Sequence, residues 1–319
     1  MEYIECNICG ANEGEILFFK KDKFAITEEE FKVIKCKNCG LIYVNPRPTE
    51  TEMIKFYPET YSWEETAPEN SYIKKIIKNL EKFYRYHLLN YEVKKVIKFT
   101  GLKNGRVLDI GCGTGDRLDV FRKKGFSTYG IEPSYSGDYA IRYFHLKVYQ
   151  NLFQANFPDN FFDIITMYNV LEHLHQPKET LLEVYRILKK EGFLVIQVPN
   201  TDSLQFRIFK KRWSAFDLPR DLYYFNIKIL INFLKKIKFK PVKIDYFNNL
   251  LHPPTIVSSL FPCLDPQLIW KSEDRKIVLF SKRLLWGIST LVLSPFAGIE
   301  SIIKKSALIT IYAEKGGKC

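Results

Sequence analysis

From Arg106 to the end of the chain, short apolar runs alternate with stretches whose apolar positions return every three or four residues. RVLDIG, STYGIEP, LKVYQ, FFDIITMY, FLVIQVPN, KPVKIDYF and SALITIYAEK read as strands. Between them, GDRLDVFRKKG closing at Gly125, a segment through Tyr139 to Phe144, ETLLEVYRILKKEG closing at Gly192, and NIKILINFLKKIKF read as amphipathic helices. Strand and helix in regular alternation predict a parallel sheet with helices on both faces. Ahead of it, Phe83, Tyr84, Leu88, Val93, Val96 and Ile97 continue a helical spacing that begins near Asn70, so one long helix or two should end at Gly101. Ser62 to Pro68 reads as a loop.

The first 48 residues follow another pattern. EILFFKK and FKVIKC are strand-like, and each lies beside a cysteine pair: Cys6 with Cys9, and Cys36 with Cys39. Gly10 and Gly40 follow the pairs, where the backbone must curl so that its N–H groups face the thiolates. Four thiolates on two such knuckles suit Zn2+ in a zinc ribbon, and leave it no open coordination position. Disulfides are the alternative. No basic start followed by an apolar run opens the chain, so a reducing, cytoplasmic setting is expected, and with it metal rather than disulfide. LIYVNPRPTETEMIKFY then reads as strand, turn and a helix starting near Thr49. The expected division is a ribbon over 1–48, helices over 49–100, and an α/β domain over 101–319 with an insert over about 248–305.

VLDIGCGTGDRL, from Val107 to Leu118, raises the question of chemistry. Gly111 and Gly113 let the backbone approach a bulky ligand, and Gly115 leads into a helix N-terminus. A dinucleotide site would read G-x-G-x-x-G, whereas here the spacing is G-x-G-x-G with Asp109 just ahead. A carboxylate there disfavours a pyrophosphate and suits a ligand with a positive charge and an amino group. Glu132, ending the GIEP strand, can accept both hydroxyls of a ribose. Both acids together fit S-adenosylmethionine.

With these residues in place, the chain resembles the class I S-adenosylmethionine-dependent methyltransferases from Leu102 to about Phe247. FPDNFFDIITMYNVLEHL and RILKKEGFLVIQVPN agree with the family's later motifs. The resemblance implies a Rossmann-like seven-stranded sheet beside the zinc ribbon. By position, Asp109, Gly111, Cys112, Gly113 and Gly115 should border the methionine part, Glu132 the ribose, Asn151 and Leu152 the adenine, and Tyr168 and Asn169 the methyl end. Cys112 reads as a small filler rather than a nucleophile. The paired CxxCG knuckles and NPRP are also similar to zinc-ribbon methyltransferases of cell-surface polysaccharide and sugar biosynthesis. Those proteins tend to have D-L-P-R-H-L after the fifth strand, and here Asp221 stands where their histidine is usual.

Methyl transfer to a hydroxyl or an acidic C–H needs a base. Glu172 and His173, just past the fourth strand, are the candidates, with Asp221 as the third. Quinone-type O-methyltransferases with a similar stretch place a divalent ion on an acid three residues before the E-H pair. Asn169 occupies that position here, which speaks against a catalytic metal. His87, His145, His175 and His252 lack metal-ligand spacing.

The net charge of +12 lies almost wholly after residue 200, where 20 Lys and Arg face 9 Asp and Glu. That asymmetry points to an acidic or phosphate-bearing partner. Lys210, Lys211, Arg212 and Arg220 are the candidate phosphate ligands of a nucleotide sugar or lipid-linked sugar. LLWGISTLVLSPFAGI is shorter than a membrane span and interrupted by Pro295, so it reads as a buried helix, with a peripheral membrane contact as the other reading. The expected activity is methyl transfer to a small-molecule or glycan acceptor. Two rivals are an RNA methyltransferase and a non-catalytic ribbon scaffold. MYNVLEH lacks the N-P-P-Y-like turn of enzymes that methylate base amino groups, which argues against nucleic acid.

Overall fold

The computed structural model describes residues 1–57, 72–247, 252–272, 274 and 276–316. The expected Ser62–Pro68 loop lies outside the described residues. β1 (Gly14–Lys21) and β2 (Glu30–Cys36) form an antiparallel hairpin, and β3 (Ile42–Val44) pairs antiparallel with β2. In β2, Phe31 and Val33 are buried on one face and Ile34 and Cys36 on the other, so both faces of the strand are packed. α1 (Glu50–Met53) starts after Thr49. The Thr49 side chain accepts from the Glu52 backbone N–H, and the Glu52 carboxylate reaches back to the Thr49 N–H in a full capping box. α2 (Tyr72–Thr100) is a single helix ending at Gly101, whose φ of 69° closes it.

β4 (Gly105–Ile110), α3 (Asp116–Lys123), β5 (Phe126–Ile131), α4 (Tyr135–Phe144), β6 (Lys147–Tyr149), β7 (Phe162–Tyr168), α5 (Pro177–Ile187) and β8 (Leu188–Pro199) follow in the predicted order. α6 (Leu204–Phe209), β9 (Tyr223–Tyr224), α7 (Ile227–Lys236) and β10 (Phe239–Asp245) come next. The chain closes with α8 (His252–Leu260), α9 (Pro266–Lys271), α10 (Lys276–Ile302) and β11 (Leu308–Lys315). The main sheet has seven strands in the order β10-β11-β8-β7-β4-β5-β6, with β11 antiparallel to both neighbours and the pairs from β8 to β6 parallel. The order reverses at β4, so the topological switch point, where such sheets bind ligands, lies at the carboxyl ends of β4 and β7. On one face, Leu89, Val93 and Val96 of α2 pack with Val107, Val120, Phe121, Phe126 and Ile164. On the other, one continuous core runs from Cys6 and Phe31 through Leu218 and Tyr223 to Leu181, Val184, Leu230 and Phe233.

Three features depart from the sequence pattern. The helix expected to close at Gly192 ends at Ile187, and Leu188–Pro199 is one long strand. Leu188 is fully buried and pairs with Phe162, and Lys189 pairs with Asp163 at 2.7 Å, so sheet contacts overrule the helical propensity of LKKE. The short β9 joins the front sheet by pairing with β3, giving the order β1-β2-β3-β9. The apolar run around Pro295 is neither interrupted nor buried: α10 continues through Pro295, and its most apolar window has no buried share. Proline removes the N–H that would reach the Leu291 carbonyl, and the Ser294 hydroxyl donates to that oxygen at 2.8 Å instead.

Candidate active site

The residues singled out in the sequence converge on the carboxyl edge of the parallel strands. Asp109 lies near the end of β4, Glu132 directly after β5, Asn151 and Leu152 after β6, and Tyr168 and Asn169 at the end of β7. Gly111, Gly113 and Gly115 all have positive φ, at 71°, 51° and 81°. A Cβ on Gly111 would come within 2.3 Å of Val170 Cγ2, whereas one on Gly113 would meet nothing within 4 Å. The loop is thus pressed against the turn that follows β7 on one side and open on the other, as a ligand cradle requires. Cys112 is buried with Leu118, Ala140 and Leu146 beneath the loop, and burial pushes its thiol well up. It fills space there rather than offering a nucleophile.

Asp109 is buried and accepts a hydrogen bond from Thr166 Oγ1 at 2.5 Å. Its second oxygen has no hydrogen-bond partner among the described residues, although Arg117 Nη1 stands 3.8 Å away. Burial raises its pKa to about 6, against the opposing pull of Arg117 and Thr166. Arg117 lies over the Tyr168 ring at 3.6 Å and pairs with Glu92 of α2 at 3.0 Å. Arg85, also on α2, reaches Asp116 at 3.0 Å. Glu132 accepts from the Gly113 N–H at 2.9 Å and the Ser134 N–H at 3.1 Å, which aims its carboxylate at the glycine loop. Asn151 caps its own turn by accepting from Phe153 and Gln154, and Leu152 is buried. Asn169 takes a φ of 54°, and its side-chain oxygen is buried without a partner among the described residues. Two carboxylates, an orphaned buried oxygen and a loop open at Gly113 fit a cationic ligand with an amino group and a ribose.

The candidate base forms a compact cluster past β7. His173 Nδ1 is 3.0 Å from the carbonyl oxygen of Arg220 and 3.1 Å from Asp221 Oδ1. A carbonyl can only accept, so Nδ1 carries the proton, and the neutral ring keeps its lone pair on Nε2. Burial works against the charged imidazole, but the charges of Asp221 and Glu172 outweigh it and raise the His173 pKa. Burial likewise raises the pKa of Glu172 and Asp221, and the charge of His173 opposes the shift in both. The Leu222 N–H donates to the Glu172 carbonyl at 2.8 Å, locking the two loops together.

Arg220, expected to meet a phosphate, is fully buried and cannot. Its guanidinium holds Asp22 at 2.6 Å and Asp217 at 2.7 Å and donates to the Phe56 carbonyl at 2.6 Å. It ties the front module to the Asp221 loop. Lys210, Lys211 and Arg212 do lie exposed. His252 is buried against Glu300 at 3.0 Å, and His175 bonds the Pro48 carbonyl at 3.0 Å, so both serve packing.

The four paired thiols cluster as the spacing predicts. All ligand atoms lie within 4.8 Å of one another, with Cys6 Sγ 3.5 Å from Cys39 Sγ and Cys9 Sγ 3.6 Å from Cys36 Sγ. Metal–sulfur bonds of about 2.3 Å place tetrahedral sulfurs about 3.8 Å apart, close to this arrangement. The two knuckles match: the Gly10 N–H donates to the Cys6 carbonyl at 2.8 Å and the Gly40 N–H to the Cys36 carbonyl at 2.9 Å. No disulfide joins these cysteines. The front sheet reaches the active site through β9, where Ile42 pairs with Tyr224 and Tyr43 with Tyr223. Arg47 of the NPRP run donates to the Tyr223 hydroxyl at 2.6 Å.

A family model described as a methyltransferase domain matches residues 84–244, half of the chain. The chain belongs to that family and is an S-adenosylmethionine-dependent methyltransferase. It is 32% identical over 187 residues to an uncharacterized protein of Methanocaldococcus jannaschii, covering 56% of this chain and 74% of that one. It is 30% identical over 132 residues to an uncharacterized methyltransferase of Schizosaccharomyces pombe, covering 35% and 45%. A ubiquinone biosynthesis O-methyltransferase of Rhodopseudomonas palustris is 24% identical over 163 residues, covering 44% and 64%. In fold, the chain is similar to a candidate sarcosine dimethylglycine methyltransferase from Galdieria sulphuraria, with a TM-score of 0.50, 14% identity, and coverage of 72% and 86%.

Arg117, Glu92 and Thr166 escaped the sequence reading. Thr166 sits inside a strand, and Glu92 and Arg117 lie on two helices whose contact no periodicity reveals. The only available signal was the charged residue directly after Asp116, in a helix that otherwise turns an apolar face to the sheet.

Proposed function

We propose that the protein methylates a hydroxyl of a small-molecule or glycan acceptor, with a sugar of cell-surface polysaccharide biosynthesis as the leading candidate. The observation that carries the reading is the Nδ1–H of His173 anchored on Asp221 and the Arg220 carbonyl, which leaves Nε2 to act as base. S-adenosylmethionine supplies a sulfonium-activated methyl group. Asp109 and the Gly111–Gly113 backbone hold its amino-acid end, with Cys112 and Gly115 supporting that loop. Glu132 holds the ribose, Asn151 and Leu152 border the adenine, and Tyr168 and Asn169 face the methyl end. With S-adenosylmethionine bound, His173 Nε2 would take the acceptor hydroxyl proton as the acceptor oxygen displaces sulfur from the methyl carbon, leaving S-adenosylhomocysteine. Asp221 stabilises the imidazolium, while Glu172, whose carboxyl burial holds toward its neutral form, braces the loop through its backbone carbonyl. The ring then releases the proton to solvent.

The polysaccharide assignment is supported by the paired knuckles, the NPRP run and DLPRDL, which resemble sugar-modifying zinc-ribbon methyltransferases. The O-methyltransferase name of the Rhodopseudomonas palustris relative supports oxygen as the acceptor atom. We place Zn2+ on Cys6, Cys9, Cys36 and Cys39, where it braces the ribbon that carries β3 and, through β9, the loop of Asp221. Calorimetry with S-adenosylmethionine on the native chain, Asp109→Ala and Glu132→Ala tests the cofactor pocket. Micromolar binding lost in both variants is expected; no binding to the native chain refutes the pocket. A screen of nucleotide sugars and lipid-linked glycans for S-adenosylhomocysteine release then tests the acceptor class. Turnover with non-sugar hydroxyl compounds alone would refute the sugar.

A further inference from the structure

α10 is long, apolar and half uncovered. Ile277, Phe280, Leu284, Ile288, Leu291, Phe296, Ile299 and Ile302 follow a helical stripe on its outer face, each at least 50% exposed. The stripe runs most of a helix about 40 Å long. Its inner face is held by the protein: Ala297 and Glu300 are buried, and Glu300 meets His252 of α8 at 3.0 Å. Both ends stay tied to the same body. The segment entering α9 is pinned by Asp265 to Lys23 at 2.9 Å, and the exit leads into β11 of the main sheet. A helix fastened along one side at both ends cannot thread a bilayer, but it can lie flat on one with its outer stripe immersed.

The surroundings of the stripe select the kind of surface. At its C-terminal end Lys304 and Lys305 line an open groove with Lys228, in which Asp202 is the one acid. α6 lies alongside, its Leu204 N–H donating to the Lys305 carbonyl at 2.9 Å, and it leads into exposed Lys210, Lys211 and Arg212. Ile208 of α6, 63% exposed and two residues before Lys210, adds an apolar side chain among these cations. An apolar ridge next to a basic cluster is complementary to a bilayer with anionic headgroups, and much less so to an acidic protein surface or to a second copy of the same basic patch.

We propose that α10 and the basic residues beside it dock this protein on an anionic membrane surface, with the helix axis in the membrane plane. The inference holds whichever acceptor receives the methyl group. The test is vesicle flotation of the full-length chain with phosphatidylcholine alone and with phosphatidylcholine–phosphatidylglycerol mixtures. The native chain floats with the anionic vesicles, and its partition falls at least about tenfold on zwitterionic ones. Leu284→Asp/Leu291→Asp changes only exposed positions. It cuts the partition by about tenfold per substitution while the melting temperature stays at the native value. Lys210→Glu/Lys211→Glu weakens binding to anionic vesicles only. Absence of flotation with either vesicle overturns the proposal, as does flotation indifferent to the aspartates. Sedimentation as a dimer that the aspartates dissociate, without vesicle binding, would assign the face to a second copy instead.

Discussion

His173 Nδ1 stands 3.1 Å from Asp221 Oδ1, on a loop that follows β7 and a loop that precedes β9. The pair explains a residue that looks anomalous in the sequence. Asp221, where the sequence resemblance leads one to expect a histidine, faces the protonated Nδ1 and so fixes the tautomer of the neighbouring imidazole. Asp221→Asn should lower kcat about a hundredfold or more, since an amide cannot stabilise the imidazolium. The base must be neutral, so activity rises with pH through the raised His173 pKa. Removing the Asp221 charge lowers that pKa and moves the acid limb of the profile to lower pH. An acid limb that does not move in Asp221→Asn would remove His173 from the role of base.

Asp109 trades stability for binding. Its folded pKa of about 6 lies above the ordinary carboxylate value of 3.8, so its contribution to stability is fully present below the unfolded value and is lost as pH rises through about 6. Asp109→Asn should therefore be more stable than the native chain at neutral pH, by up to about 3 kcal/mol. The advantage should vanish near the unfolded carboxylate pKa. Cofactor affinity falls at least about tenfold at the same time. Thermal melts across pH, paired with calorimetry, check both; equal melts at neutral pH would contradict the buried-carboxylate account.

Arg220 is structural. Arg220→Met leaves Asp22 and Asp217 without their shared cation in a buried site and should destabilise the fold by about 3–5 kcal/mol. Lys210→Ala and Lys211→Ala, on exposed side chains, should stay within about 0.5 kcal/mol. Denaturant titrations distinguish these, and a mild Arg220→Met would undo the assignment.

Metal removal should reach the active site through β9. The native chain should carry one zinc ion per four-cysteine cluster, and Cys36→Ser or strong chelation should lower the melting temperature by about 10 °C and reduce turnover. Burial raises the Cys6 thiol well up, so metal uptake also releases protons. Elemental analysis showing no metal, with an unchanged melt after chelation, would dismiss the zinc.

Gly111→Ala should abolish cofactor binding, because its Cβ would lie 2.3 Å from Val170 Cγ2 at a φ of 71°. The shift needed to relieve that clash moves the loop that follows Asp109. Calorimetry on the folded variant reads the effect, and retained native affinity would show that the cradle tolerates the shift.

The sequence by itself determined the alternation of strands and helices, the glycine loop with Asp109, the acid at Glu132 and the paired cysteines. These are local signals: each depends on a run of neighbours, a turn that only glycine can take, or ligands spaced across one knuckle. The tertiary structure alone decided four things. It ended α5 at Ile187, because Leu188 gains a buried place in the sheet. It put Arg117 between Asp109 and Glu92, on three successive elements whose packing no local pattern sets. It buried Arg220, whose two acidic partners come from different modules. It left the outer face of α10 uncovered, because only one side of that helix meets α8 and α9, and no periodicity says which apolar stripe will find a partner.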